Sequence, residues 1–171
     1  LMAEASRALF GTETEYGVTA LDAGGRLLPV DAIADQFFDR AAARPALPGS
    51  ESGVFLSNGA RFYIDGSHPE YASPETTNPW EAVRYALAGD SLMLQLAHEV
   101  RRNDPRLATL AVRKGNVDYG GRTTFASHEN YLHHRPPAEL QPALAPHLVS
   151  RIVFTGAGGF DPFNRRRSRF V

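Results

Sequence analysis

The segment Ala60-Arg61-Phe62-Tyr63-Ile64-Asp65 alternates without interruption: Ala60, Phe62 and Ile64 on one side, Arg61, Tyr63 and Asp65 on the other. A period of two suits a β-strand with one apolar face and one polar face. Leu9 to Thr19 repeats the pattern, with Phe10, Thr12, Thr14 and Tyr16 on one side and Glu13 and Glu15 opposite. A sheet built this way packs one face on a core and leaves the other to water or to a ligand. The rest of the chain has to supply the covering layer.

Helical segments are present for that purpose. Asp31 to Ala43 carries Ile33, Phe37 and Phe38 at near-helical spacing. Asn78 is a favourable helix cap with Pro79 at the first helical position, and the spacing predicts a helix to about Arg102. Its expected buried side chains are Val83, Leu87, Leu94 and Val100, with Gly89 as a weak point. Val54 to Gly66 reads as one strand, followed by a proline-rich turn from His68 to Pro79. Leu107 to Arg113 and Thr123 to Leu132 read as further strands, joined by a turn over Gly115 to Gly121. Leu140 to Ile152 reads as a helix whose regular part is confined by Pro142 and Pro146. Arg44 to Gly53 is a short connection rich in Pro, Gly and Ser. Strands interspersed with helices and hairpin-like pieces indicate an α+β fold.

Composition narrows the chemistry. Eighteen basic and nineteen acidic side chains leave a formal charge of -1, so nothing advertises a nucleic-acid or membrane surface. The absence of cysteine excludes disulfides, thiolate metal sites and a cysteine nucleophile. No run approaches the ~18 apolar residues of a membrane helix. The Leu1-Met2-Ala3-Glu4 start lacks the regions of a signal peptide. A cytoplasmic location is the expectation.

Three clusters place charge on strands. Glu13 and Glu15 share a face, where their repulsion is relieved by a cation, and paired carboxylates suit magnesium or manganese better than zinc. The same pattern also fits an ordinary solvent-facing strand. In the second cluster, Arg61 offers a planar fork for phosphate, while Asp65 and Glu70 fit a base and a metal ligand in one cleft. A surface ion pair between Arg61 and Asp65 accounts equally well for those residues alone. The third is Ser127-His128-Glu129-Asn130-Tyr131, with His128 and Asn130 on one face. A histidine there either meets a metal or phosphoryl group or serves as a hydrogen-bonded structural residue. His133 and His134 read as surface. Gly156 to Gly159 lacks the Lys-Ser/Thr end of a phosphate loop, and the Arg165 to Arg169 run reads as a solvated tail.

In order and spacing, GTETEYG, NGARFYIDGSHPEYASPE, NVDYGG, SHENYL and LVSRIVFTGAG resemble the motifs of the Pup ligase and Pup deamidase/depupylase family. They cover most of the chain from Gly11 to Gly158. That family belongs to the carboxylate-amine ligases, so the resemblance implies a glutamine-synthetase-like curved antiparallel sheet backed by helices. Family members are longer, and the resemblance implies that residues 1–171 form the N-terminal part of a catalytic domain. The remaining strands and a small C-terminal domain are not among them. Such a piece by itself is expected to bind ATP weakly and turn nothing over.

The resemblance also implies ATP and Mg2+ as cofactors. It makes Glu13, Tyr63 and Glu70 magnesium ligands, Glu15 a ligand at a second metal site, and Asp65 the catalytic carboxylate. Arg61 and Ser73 then contact ATP, and His128 a phosphate or metal. The implied partners are Pup or a Pup-like modifier and pupylated proteins, with no nucleic acid and no membrane. Two activities share this apparatus. The five-residue step from Asp65 to Glu70, Thr76-Thr77-Asn78-Pro79 and VFTGAG look more like the deamidase/depupylase branch, and that activity is the expectation. The short Arg44 to Gly53 connection looks like the ligase branch, which is the alternative. A non-catalytic relative that binds Pup or a nucleotide is the third reading.

Overall fold

A computed structural model of the chain describes residues 9–44, 53–118 and 123–155. The fold is α+β, as the alternation of segments predicts. In chain order the elements are β1 (Phe10–Glu15), β2 (Gly17–Leu21), α1 (Val30–Ala42), β3 (Val54–Phe55), β4 (Arg61–Asp65) and β5 (His68–Ala72). There follow α2 (Pro79–Asn103), β6 (Thr109–Arg113), β7 (Val117–Asp118), β8 (Thr123–Thr124), β9 (Ser127–Tyr131) and α3 (Pro137–Thr155). They divide into two compact units, one holding β1 to β6 with α1, α2 and β9 and the other holding β7, β8 and α3.

The first unit is built on an antiparallel sheet ordered β3-β4-β5-β1-β9, with β2 and β6 paired separately. One face of the large sheet carries Phe62 and Tyr71 into a core with Ile33 and Phe37 of α1 and Met93, Leu96 and Val100 of α2. Phe37 and Phe62 are fully buried, each a gain of about 2–3 kcal/mol over exposure. The opposite face keeps the charged set. The half-covered sheet expected from the alternation is therefore present.

Several boundaries differ from the expected ones, each for a local reason. Val54 to Gly66 is a hairpin, not one strand: Ser57, Asn58 and Gly59 turn the chain, with Gly59 at φ 84° and Asn58 Oδ1 accepting from the Ala60 amide at 3.1 Å. His68–Ala72, expected as turn because of Pro69, is the central strand β5. Pro69 is tolerated because it sits just past Glu15↔Glu70, the last registered pair with β1, where its carbonyl still accepts from the Tyr16 amide at 2.9 Å. Only the terminal rung is missing. The hairpin before it closes on Gly66-Ser67, with Gly66 at φ 57°.

Leu9 to Thr19 is split at Tyr16, where the chain leaves the large sheet and pairs with β6 instead. Thr123 to Leu132 is likewise split into β8 and β9, in different sheets.

Helix α2 begins as expected, with Asn78 Oδ1 accepting from the Glu81 amide at 3.0 Å. Its buried face is Gly89, Leu92, Met93, Leu96 and Val100, while Val83, Leu87 and Leu94 are exposed. Gly89 is not a defect. A methyl group there would lie 2.6 Å from Cδ1 of Tyr71, so the missing side chain is what lets the helix approach the sheet. Of the expected set only Val100 lies on the contact face, which runs through Gly89, Leu92, Met93 and Leu96 instead of Val83, Leu87 and Leu94.

The second unit holds the β7–β8 pair and α3. Helix α3 extends beyond the expected limits and runs through Pro142 and Pro146. Residues 45–52 of the expected connection, Gly156 to Gly159 and the Arg165 to Arg169 run lie outside the described residues. Among the described residues no helix is long and apolar enough to cross a membrane.

Candidate functional site

The polar face of the large sheet assembles the predicted residues by register. Tyr63 of β4 is opposite Glu70 of β5, which is opposite Glu15 of β1. One row along, Arg61, Ala72, Glu13 and His128 face one another across four strands. The Ser73 amide to Thr12 carbonyl and Tyr16 amide to Pro69 carbonyl bonds mark the hydrogen-bonded rungs. By alternation Glu15 and Glu70 occupy a non-hydrogen-bonded pair, where cross-strand side chains are closest. Two carboxylates, Glu15 at 7% exposure and Glu70 at 1%, are thus forced together in a buried position.

Each acid has a donor from a neighbouring strand or from its own sheet edge. His128 Nδ1 is 3.0 Å from Glu13 Oε2, and Asn130 Nδ2 donates to Glu13 Oε1 at 3.4 Å. His68 Nδ1 is 3.2 Å from Glu15 Oε2. The Tyr63 hydroxyl donates to Glu70. Glu70 Oε1 is buried and has no hydrogen-bond partner among the described residues, with His128 Nδ1 3.6 Å away. Burial holds the Glu70 carboxyl above its usual range, and repulsion from Glu13 and Glu15 adds to this against the opposing pull of Tyr63 and His128. Burial, then the bond to Glu70, pushes the Tyr63 hydroxyl upward as well.

Two ligand sets meet at this point. Glu13, Glu70 and His128 offer atoms within 4.8 Å of one another, and so do Glu15, Asp65 and Glu70. Glu70 belongs to both. A buried carboxylate oxygen without a donor, ringed by further carboxylates, is a poor arrangement for the protein alone and a good one for a hard divalent cation. The donor chemistry fits magnesium. Arg61 lies over the Tyr63 ring, its Cζ 4.4 Å from the centroid, on the same face.

Ser73 is not brought into the cluster. Its hydroxyl accepts from the Thr12 amide at 2.9 Å and donates to the Pro74 carbonyl at 2.9 Å, and strand alternation places it with Tyr71. Two residues not singled out by sequence reasoning are present: Asn130, already placed on the face of His128, and His68. The signal for His68 was hidden by the reading of His68 to Pro79 as a turn.

A family profile described as Pup-ligase protein matches residues 8–171. The Pup--protein ligase of Brachybacterium faecium is 43% identical over 161 residues, covering 90% of this chain and 33% of that protein. The Pup--protein ligase of Bifidobacterium longum subsp. infantis is 40% identical, covering 90% and 32%, and that of Acidimicrobium ferrooxidans is 38% identical, covering 92% and 35%. A crystal structure of the complex between the prokaryotic ubiquitin-like protein Pup and its ligase PafA superposes with a TM-score of 0.77 at 32% identity. It covers 96% of this chain and 34% of the other. The chain spans about a third of the length of these relatives.

These likenesses overturn the expected deamidase/depupylase activity, since the relatives and the solved structure are ligases. The five-residue Asp65 to Glu70 step, Thr76 to Pro79 and VFTGAG misdirected the choice. The short Arg44 to Gly53 connection pointed the right way. The resemblance assigns the same carboxylates on the same face to both directions, so the site residues themselves do not carry the distinction.

Proposed function

This chain belongs to the Pup-ligase family, and on that premise we propose that the full-length protein joins the C-terminal glutamate of Pup to lysines of other proteins, using ATP and Mg2+. Residues 1–171 are the N-terminal part of its catalytic domain, with the five-stranded sheet one portion of a curved, glutamine-synthetase-like cradle. The observation that carries this reading is the orphaned Oε1 of Glu70, a residue that belongs to both groups of potential metal ligands on one sheet face.

In this proposal Glu13, Tyr63 and Glu70 hold one divalent ion, and Glu15 with Asp65 and Glu70 offers a place for a second. Bound ions supply charge neutralisation among the phosphates. Arg61, braced on Tyr63, reaches a phosphate of ATP, and His128 meets the same phosphate region or a metal. Ser73 stands outside this cluster, its hydroxyl accepting from the Thr12 amide and donating to the Pro74 carbonyl, with one acceptor position left for ATP. A carboxylate resists attack because it is already an anion. Transfer of the γ-phosphoryl of ATP to the glutamate of Pup gives an acyl phosphate and ADP. The lysine amine then attacks the acyl carbon, phosphate leaves, and Asp65 takes the proton lost by nitrogen.

The test is ligation by the full-length protein given ATP, Mg2+, Pup and an acceptor protein. Asp65→Asn is expected to abolish conjugate formation while leaving ATP binding within about twofold. Conjugation that survives Asp65→Asn removes Asp65 from its role. Pup binding without conjugation by the unaltered protein favours the binding-only relative.

A further inference from the structure

The bond between His68 and Glu15 is built unlike the one between His128 and Glu13. Both side chains are largely buried, at 14% and 9% exposure, whereas His128, which meets Glu13, is 47% exposed. A carboxylate only accepts, so at 3.2 Å the Nδ1 of His68 is the atom that carries the hydrogen. His68 is also the cross-strand partner of Asp65, fixed there by the two-residue Gly66-Ser67 hairpin. One residue therefore touches Glu15 through its ring and is registered to Asp65 through its backbone.

From this we infer that His68 is a positioning residue that holds Glu15 in the orientation from which Glu15, Asp65 and Glu70 jointly bind a divalent cation. Glu15 and Glu70 face each other at the closest cross-strand spacing, and without a donor the Glu15 carboxylate swings away from Glu70. The imidazole N–H fixes Oε2 and so the plane of the group, as partners of ligating side chains do in metal sites generally. His68 itself is not a ligand in this scheme. The inference rests on the reading of this face as a metal-binding cradle.

The experiment measures Mn2+ binding to full-length protein by electron paramagnetic resonance in the presence of ATP, with the Mg2+ dependence of ligation alongside. His68→Ala is expected to weaken Mn2+ binding about 10–100-fold. Excess Mg2+ is expected to restore most of kcat, because the ligands remain. His68→Asn keeps an N–H donor and is expected to recover most of the affinity. In a Glu15→Ala background, His68→Ala is expected to change Mn2+ binding by less than twofold, since its effect passes through Glu15. Should His68→Ala fail to fold, His68→Asn against Glu15→Ala supplies the comparison. Unchanged Mn2+ binding in folded His68→Ala, or an equal further loss in the Glu15→Ala background, overturns the inference and leaves the cradle intact. A failure of the unaltered protein to bind Mn2+ overturns the cradle and this inference with it.

Discussion

Replacing Gly89 by alanine sets two effects of opposite sign against each other. Helix propensity favours alanine over glycine in a helix interior by about 1 kcal/mol. Against that, the new Cβ would sit 2.6, 2.9 and 3.0 Å from Cδ1, Cγ and Cε1 of Tyr71. These are ring atoms of a buried side chain at 2% exposure in a strand bonded on both sides, so no flexible end is available to move. Either α2 lifts from the sheet by most of an ångström or the ring leaves its packing. Overpacking of this kind costs about 1–3 kcal/mol, and the closeness of three ring atoms puts it in the upper half of that range. The net expectation is a loss of about 1–2 kcal/mol, read from the urea midpoint at unchanged slope. In a Tyr71→Ala background the same substitution is expected to become stabilising. Stabilisation by Gly89→Ala in the unaltered protein refutes the close contact and with it the account of how α2 meets the sheet.

Asn78→Ala removes the oxygen that accepts from the Glu81 amide and is expected to cost about 1 kcal/mol in thermal or urea unfolding, with Asn78→Asp retaining most of it. For Glu70, the raised carboxyl in the folded state means that its contribution to stability is complete below the ordinary value of 4.5 and declines as pH rises through the raised one. In metal-free protein Glu70→Gln is therefore expected to flatten the fall in melting temperature as the pH rises above about 4.5, leaving the variant the more stable at the upper end. Mg2+ with ATP is expected to stabilise the unaltered protein and not the variant. Parallel pH curves for the two proteins contradict the assignment of Glu70 as the strained group.

The polar face was legible because strand alternation is a local property. Arg61, Tyr63 and Asp65 had to share a side wherever the strand lay, and so did Glu13 and Glu15. Which strands are neighbours is not local. The pairing of Glu15 with Glu70 follows from β5 entering the middle of the sheet, a strand that Pro69 concealed, and that of Glu13 with His128 from β9 joining the other flank of β1. A proline normally argues against a central strand, yet at the end of a ladder it forfeits a single bond. On α2 apolar residues lie on more than one face, and the spacing alone did not select between them. Leu87 and Leu94 looked like core residues, while the surface that meets the sheet is centred on a glycine. His68 was lost with its strand, since a residue read as turn has no face to share.

Strand β1 has β5 on one flank and β9 on the other, and just past its end the Tyr16 hydroxyl is anchored to Asp90 Oδ1 of α2 at 2.9 Å. Glu13 and Glu15 are consequently presented from a segment clamped on three sides, not from a loop that must settle when something arrives. The backbone entropy of arranging these acids is surrendered once, during folding, so that a cation bound as proposed would meet a finished geometry and keep more of its binding energy.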